Sequence, residues 1–213
     1  MPPQRAPTDG GVPEPPSAML RSRHVEATRR AVLAAARASF GRKGYAQTSV
    51  DEIAAAAGVT KGAVYHHFDG KQALFRAVHA EVEADALARA TGAGDPAAPP
   101  IDLIVTQLNA YLDAALDDEI RRITLIDGPA LLGFEWDPTA EQQAAHEALR
   151  SFIATAIARG QIVDLDPDAL AHLIGGLALQ GGLLIARAGD PDATRATLGQ
   201  AIDAMLHGLA PGP

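Results

Sequence analysis

No cysteine occurs among the 213 residues. Disulfides, thiolate metal sites and cysteine nucleophiles are therefore excluded. Aromatic residues make up only 4% of the chain. β-Branched residues are also few and alanine is abundant, a balance that favours helices over sheets. No apolar run reaches the roughly 18–20 residues that a membrane helix needs. The opening stretch MPPQRAPTDGGVPEPPSA lacks the apolar centre of a secretory signal. These absences lead us to expect an all-α, cytoplasmic chain with no membrane attachment.

The charge is unevenly spread. The net charge is −8, yet Ala18 to Thr91 carries 11 Lys and Arg against 7 Asp and Glu, while Gly92 to Pro213 carries 6 against 17. A basic first part can meet a polyanion, and an acidic second part keeps off it. Residues 1–20, rich in proline and glycine, read as a disordered tail. The arginines at 21 and 23 could reach a DNA minor groove, although a tail with no specific role is the simpler reading.

Apolar positions 25, 32, 33, 36 and 40 form a helical stripe that Gly41 or Gly44 ends. In TSVDEIAAAAGV a short helix follows, with Thr48 and Asp51 at capping-box spacing. Ile53, Ala54 and Ala57 form its inner face and Gly58 stops it. Thr60 then caps KGAVYHHF, and Asp69 or Gly70 precedes a long helix. The linker TGAGDPAAPP closes this part. Beyond it we expect helices at about 100–117 and 119–127. The pairs Asp137-Pro138, Asp166-Pro167 and Asp190-Pro191 each set an N-cap acid before a first-turn proline. The boundaries are therefore 1–20 for the tail, 21–70 for a first domain and 71–213 for a second.

The segment TKGAVYHHFDGK decides the chemistry. His66 and His67 are neighbours, so on a helix they point about 100° apart and cannot grip one metal ion. No catalytic set surrounds them. Two short helices joined by Gly58-Val59-Thr60 instead have helix-turn-helix geometry, whose second helix enters the DNA major groove. Val64 and Phe68 would anchor that helix to the core, and Gly62 would let its backbone approach closely.

The stretch TSVDEIAAAAGVTKGAVYHHFDGKQALF closely resembles the signature of the TetR family of transcriptional regulators, over about residues 25 to 78. It departs at Gly70, where the family often has Ser or Asn. The resemblance implies an all-α homodimer: an N-terminal three-helix helix-turn-helix DNA-binding domain, a long connector helix, and a C-terminal helical ligand-binding and dimerisation domain. Thr48, Thr60, His67 and Lys71 match positions that hold phosphates. Ser49, Lys61, Gly62, Tyr65 and His66 match positions near bases.

In the second part, four glycines (175, 176, 181 and 182) sit inside one apolar helix. Each normally costs about 1 kcal/mol there, so either backbones pack closely or a ligand needs the space. Leu170, Ile174, Leu177, Gly181 and Leu184 form one stripe, and Leu198, Ile202, Met205 and Leu209 another; together they read as a dimer interface. Gln107, Tyr111, Phe134, Trp136, His172, Gly176 and Gln180 are the candidate pocket residues, with Asn109 and His146 also polar on apolar helices.

The expected function is a dimeric repressor that a small-molecule effector releases from double-stranded operator DNA. A ligand-independent regulator or activator is the alternative, and a carrier or enzyme a distant third. No catalytic residue, cofactor or metal site is expected.

Overall fold

Every regular element among the described residues, 16–133 and 140–211 of the computed structural model, is helical. Helix α1 runs from Pro16 to Gln47, so it starts before the expected end of the tail at residue 20. The stripe at Val32, Leu33, Ala36 and Phe40 is buried as expected, but Val25 is 48% exposed and belongs to the surface. Gly44 breaks the helical path with φ 76°. Thr48 Oγ1 donates to the Gly44 carbonyl at 2.8 Å and closes the turn.

Helix α2 (Val50–Ala56) is capped one residue later than the Thr48–Asp51 spacing implied. Glu52 N–H donates to Ser49 Oγ and Ser49 N–H to Glu52 Oε2, both at 3.1 Å. The longer Glu reaches back where Asp51 cannot. Gly58, at φ 67°, makes the turn. Thr60 caps α3 (Lys61–His67), its hydroxyl accepting from Ala63 N–H. Helix α4 (Gly70–Thr91) starts at Asp69 with no side-chain cap.

Seven further elements follow: α5 (Pro100–Ala114), α6 (Asp118–Ile120), a π-helix (Arg121–Asp127), α7 (Gly128–Leu132), α8 (Ala140–Ala158), α9 (Pro167–Arg187) and α10 (Pro191–His207). Asp166 and Asp190 cap α9 and α10 as their Asp-Pro pairs imply, accepting from Ala169 N–H at 2.7 Å and Ala193 N–H at 3.0 Å. Asp137-Pro138 lies outside the described residues. The π-helix was not anticipated, since one extra residue per turn leaves no compositional trace.

Two apolar cores result. The first joins α1 through α4, and it also takes in Ala114, Ile120 and Ile123 from beyond the linker. Phe40, Tyr45 and Phe75 form its aromatic centre, with ring centroids 5.3–5.9 Å apart. The second core joins α5, α8, α9 and α10. Helix α9 is, by length and composition, apolar enough to cross a membrane, which corrects the expectation that no run qualifies. It is a core helix here: Leu170, Ala171, Ile174, Leu183 and Ile185 are all buried against its neighbours.

Polar contacts tie α1 and the turn after it to α4, α6 and the π-helix. Arg37 of α1 donates to Glu119 of α6 at 2.8 Å and to Asp85 of α4 at 2.6 Å. These two carboxylates hold its guanidinium charged, raising its pKa further against the cost of burial. Asp127, the last residue of the π-helix, accepts the Tyr45 N–H at 2.8 Å.

Candidate nucleic-acid interface and effector cavity

Helix α3 is fixed from behind and free in front. Val64 (2% exposed) and Phe68 (7%) face the core. Arg29 of α1 lies over the Phe68 ring, 5.5 Å from its centroid. On the other side Lys61, Gly62, Tyr65 and His66 are exposed. Tyr65 stands half in solvent, at 50% exposure. A phenol and a lysine beside the N-terminus of a helix are groups that donate to phosphates and base edges.

The expected DNA set is not uniform in this geometry. Ser49, Thr60, Lys61, Gly62, Tyr65 and His66 are on the surface, and His67 is partly covered. Lys61 Nζ already pairs with Asp51 at 2.8 Å, and that hydrogen bond raises its pKa. A phosphate would have to replace Asp51. Lys71 Nζ lies 4.0 Å above the Tyr45 ring, and partial burial lowers its pKa. Thr48 needs correction: it is 2% exposed and its hydroxyl is given to the main chain. Its side chain cannot hold a phosphate in this conformation.

Beside the second core a half-open cavity of about 740 Å³ lies between α4, α5, α8 and α9. That volume is in the range of small-molecule sites. Gln107, Tyr111, His172 and Gly176 line it as expected. Gln180 does not, and is exposed on the far side of α9. Asn109 bonds back to the Val105 carbonyl and its own carbonyl takes Arg195, so it faces α10. Phe134 and Trp136 lie outside the described residues.

Sequence reasoning missed Glu83, Gln142 and Phe152, which also line the cavity. Gln142 Nε2 donates to Glu83 Oε1 at 2.6 Å, and His79 Nδ1 is 3.5 Å from Glu83 Oε2. Burial pushes the Glu83 carboxyl up despite the Gln142 bond, and pushes the Tyr111 phenol up to about 12. Glu81 and Glu83 flank Val82 on the core stripe, and only packing shows which one turns inward.

The glycines of α9 divide between the two explanations offered for them. A Cβ on Gly181 would come within 2.7 Å of Leu112, so that pair is packing. A Cβ on Gly175 or Gly176 would meet nothing within 4 Å, and both line the cavity.

The dimer stripes also need correction. Leu170, Ile174, Gly181 and Ile202 are buried within the chain. Leu177, Leu198 and Leu209 are half-buried against the second core. The apolar side chains left outside are Leu173 (67% exposed), Leu184 (46%) and Met205 (59%). Leu184 and Met205 of the expected stripes thus stay outside and Leu173 joins them, while the other members turn toward the chain's own core, because a helix apolar on both faces has two equally periodic readings.

Comparison with known proteins agrees with this layout. Residues 32–78 match the family described as bacterial regulatory proteins, tetR family, and residues 101–209 match the tetracyclin repressor-like C-terminal domain. The HTH-type transcriptional regulator TtgR of Pseudomonas putida is 33% identical over 171 residues, covering 72% of this chain and 78% of the relative. RutR of Escherichia coli, another HTH-type transcriptional regulator, is 28% identical over 157 residues, covering 72% and 73%. The crystal structure of a TetR-family regulator from Pectobacterium atrosepticum superimposes with a TM-score of 0.80 at 36% identity, covering 89% of this chain and 97% of that one. The chain therefore belongs to the TetR family of transcriptional regulators.

Proposed function

We propose that the chain is a homodimeric repressor that an apolar small molecule, entering the α4–α5–α8–α9 cavity, releases from its operator. One observation carries this reading: α4 is a wall of the cavity through Glu83, Leu87, Ala90 and Thr91, and the same helix begins three residues after α3 ends. Residues 21–70 then act as the reading head and 71–213 as the effector and dimerisation part. Two reading helices on one duplex must stand about 34–36 Å apart, or near a multiple of it. Displacing α4 changes that spacing. The effector works only by binding the DNA-incompetent form more tightly, since equal affinity shifts nothing.

The test is reciprocal linkage. Compounds that raise the melting temperature are picked from a small-molecule set, and operator affinity is measured with each at saturation. Release predicts a loss of about 5–150-fold, with operator DNA weakening compound binding by the same factor. Gly176→Leu, which fills open space, should bind DNA and ignore the compound. A compound that saturates the wild-type cavity and leaves operator affinity unchanged favours the ligand-independent regulator instead.

The dimer is tested separately. Leu173 and Leu184, eleven residues apart, share one face of α9, and Met205 is the exposed apolar residue of α10. Leu184→Glu with Met205→Glu should give a folded monomer in sedimentation and abolish tight operator binding, because the reading heads no longer act together. Ile202→Asp should lower stability itself, since it places a charge in the chain's own core. An intact dimer carrying both glutamates would move the interface elsewhere.

A further inference from the structure

We propose that His146, Asp168 and His172 form a three-ligand site for a divalent transition-metal ion of the zinc class, at the rim of the cavity between α8 and α9. One donor atom of each residue lies within 4.8 Å of the other two. His146 Nε2 is 3.1 Å from Asp168 Oδ1, and His172 Nδ1 is 3.5 Å from Asp168 Oδ2. Metal bonds of about 2.0–2.2 Å at tetrahedral angles place neighbouring donors about 3.3 Å apart. The two contacts, each to a different oxygen of the carboxylate, straddle that spacing. The imidazole centroids are 4.2 Å apart, tilted by 59°, and the rings would spread by about 1 Å to point both nitrogens at one ion.

Helix geometry produces the cluster. Asp168 and His172 are four residues apart in the first turns of α9 and share a face. Helix α8 brings His146 across to them. This is the i,i+4 pairing that the adjacent histidines of α3 lack, completed from a second helix, which is why scanning one segment at a time does not find it. Two imidazoles with one carboxylate suit zinc, cobalt, nickel or copper; magnesium and calcium demand oxygen shells.

The carboxylate is available to an ion. Arg150, the cation nearest on α8, is taken by Glu147 at 2.8 and 2.5 Å. The metal would replace two contacts: the His146–Asp168 hydrogen bond, and the one between His172 Nδ1 and the Asp168 main-chain oxygen at 2.9 Å. Both histidines also line the cavity. Three protein ligands leave one coordination position for water or for a donor atom of a molecule in the cavity. The ion would therefore staple α8 to α9 at the cavity's edge.

The experiment titrates EDTA-stripped, full-length protein with Co²⁺, read by visible d–d absorption, and with Zn²⁺, read by calorimetry. We expect one ion per chain and a higher melting temperature with the ion bound. His146→Ala, His172→Ala and Asp168→Asn should each weaken binding at least about tenfold. His207→Ala, which removes the separate histidine paired with Asp102 and Asp203, should leave it unchanged. Melting the stripped variants checks that each is folded. Operator binding by the stripped Asp168→Asn variant, whose residue does not line the cavity, should match the stripped wild type, so failure here is distinct from failure of the repressor reading. Absence of saturable binding by the wild type would reduce the cluster to a hydrogen-bonded surface trio. Binding that survives all three substitutions, or that is lost with His207, would place the ion elsewhere and overturn the proposal.

Discussion

Gly62→Leu should lower operator affinity by about two orders of magnitude while leaving the melting temperature unchanged or slightly raised. A Cβ built on Gly62 finds only Thr60 Oγ1, at 3.9 Å. The free protein therefore has room for a side chain there. Leucine also favours a helix over glycine by up to about 1 kcal/mol. The folded chain thus gives no packing reason for a glycine at this position, whereas the proposed approach of α3 to DNA would. Contacts to base edges are worth about 1–3 kcal/mol each, and a dimer would lose them at both reading helices. Fluorescence anisotropy on labelled DNA from upstream of the gene measures the effect, with Gly62→Ala falling between leucine and wild type. Wild-type affinity in the leucine variant would mean that the start of α3 does not approach the duplex.

Phe75→Ala should destabilise the protein by about 3–5 kcal/mol, the usual cost of emptying a buried phenylalanine site. The ring is fully buried and sits edge-on to both Phe40 and Tyr45 at 5.3 Å. Such aromatic pairs add about 0.5–1.5 kcal/mol beyond area burial. Against a typical total of about 5–15 kcal/mol, this loss is severe. It falls where Phe40 of α1, Tyr45 after the Gly44 break and Phe75 of α4 meet, so the reading head should loosen first. Phe75→Leu, which keeps most of the volume, should cost less than half as much. Urea unfolding decides the matter, and a loss under about 1 kcal/mol for alanine would show that the aromatic centre does not hold the head.

The helix-turn-helix segment was legible because two short helices and a tight turn leave each of its residues few alternatives. Gly58, Thr60, Val64 and Phe68 each have one geometry that fits, and the spacing between them identifies it. The caps at Asp166 and Asp190 were legible for a similar reason: an acid before a first-turn proline is a local device that needs no partner. The cavity was only half legible. Gln107, Tyr111, His172 and Gly176 betray themselves as polar or small residues on apolar helices, while Glu83 and Phe152 look like ordinary helix positions until four helices are assembled. The dimer stripes mixed two faces because α9 is apolar nearly all round: Leu170 and Ile174 turn into the chain's own core while Leu184 stays outside, and periodicity cannot tell the two apart. Thr48 was misplaced because a family position says nothing about where this chain's own hydroxyl turns.

The contacts of Arg37 and Tyr45 have a mechanical consequence. A body suspended by one link swivels freely, and the angle between two such bodies is poorly defined. The reading head has the covalent link through α4 and a second attachment through Glu119 and the end of the π-helix. In the proposed release mechanism, two attachments would make the head a lever with a fulcrum, turning a small displacement of the larger part into a rotation in a set direction. The π-helix suits this duty, because its wider turn presents Asp127 to Tyr45 at a phase that an α-helix of the same length would miss by roughly one residue's rotation.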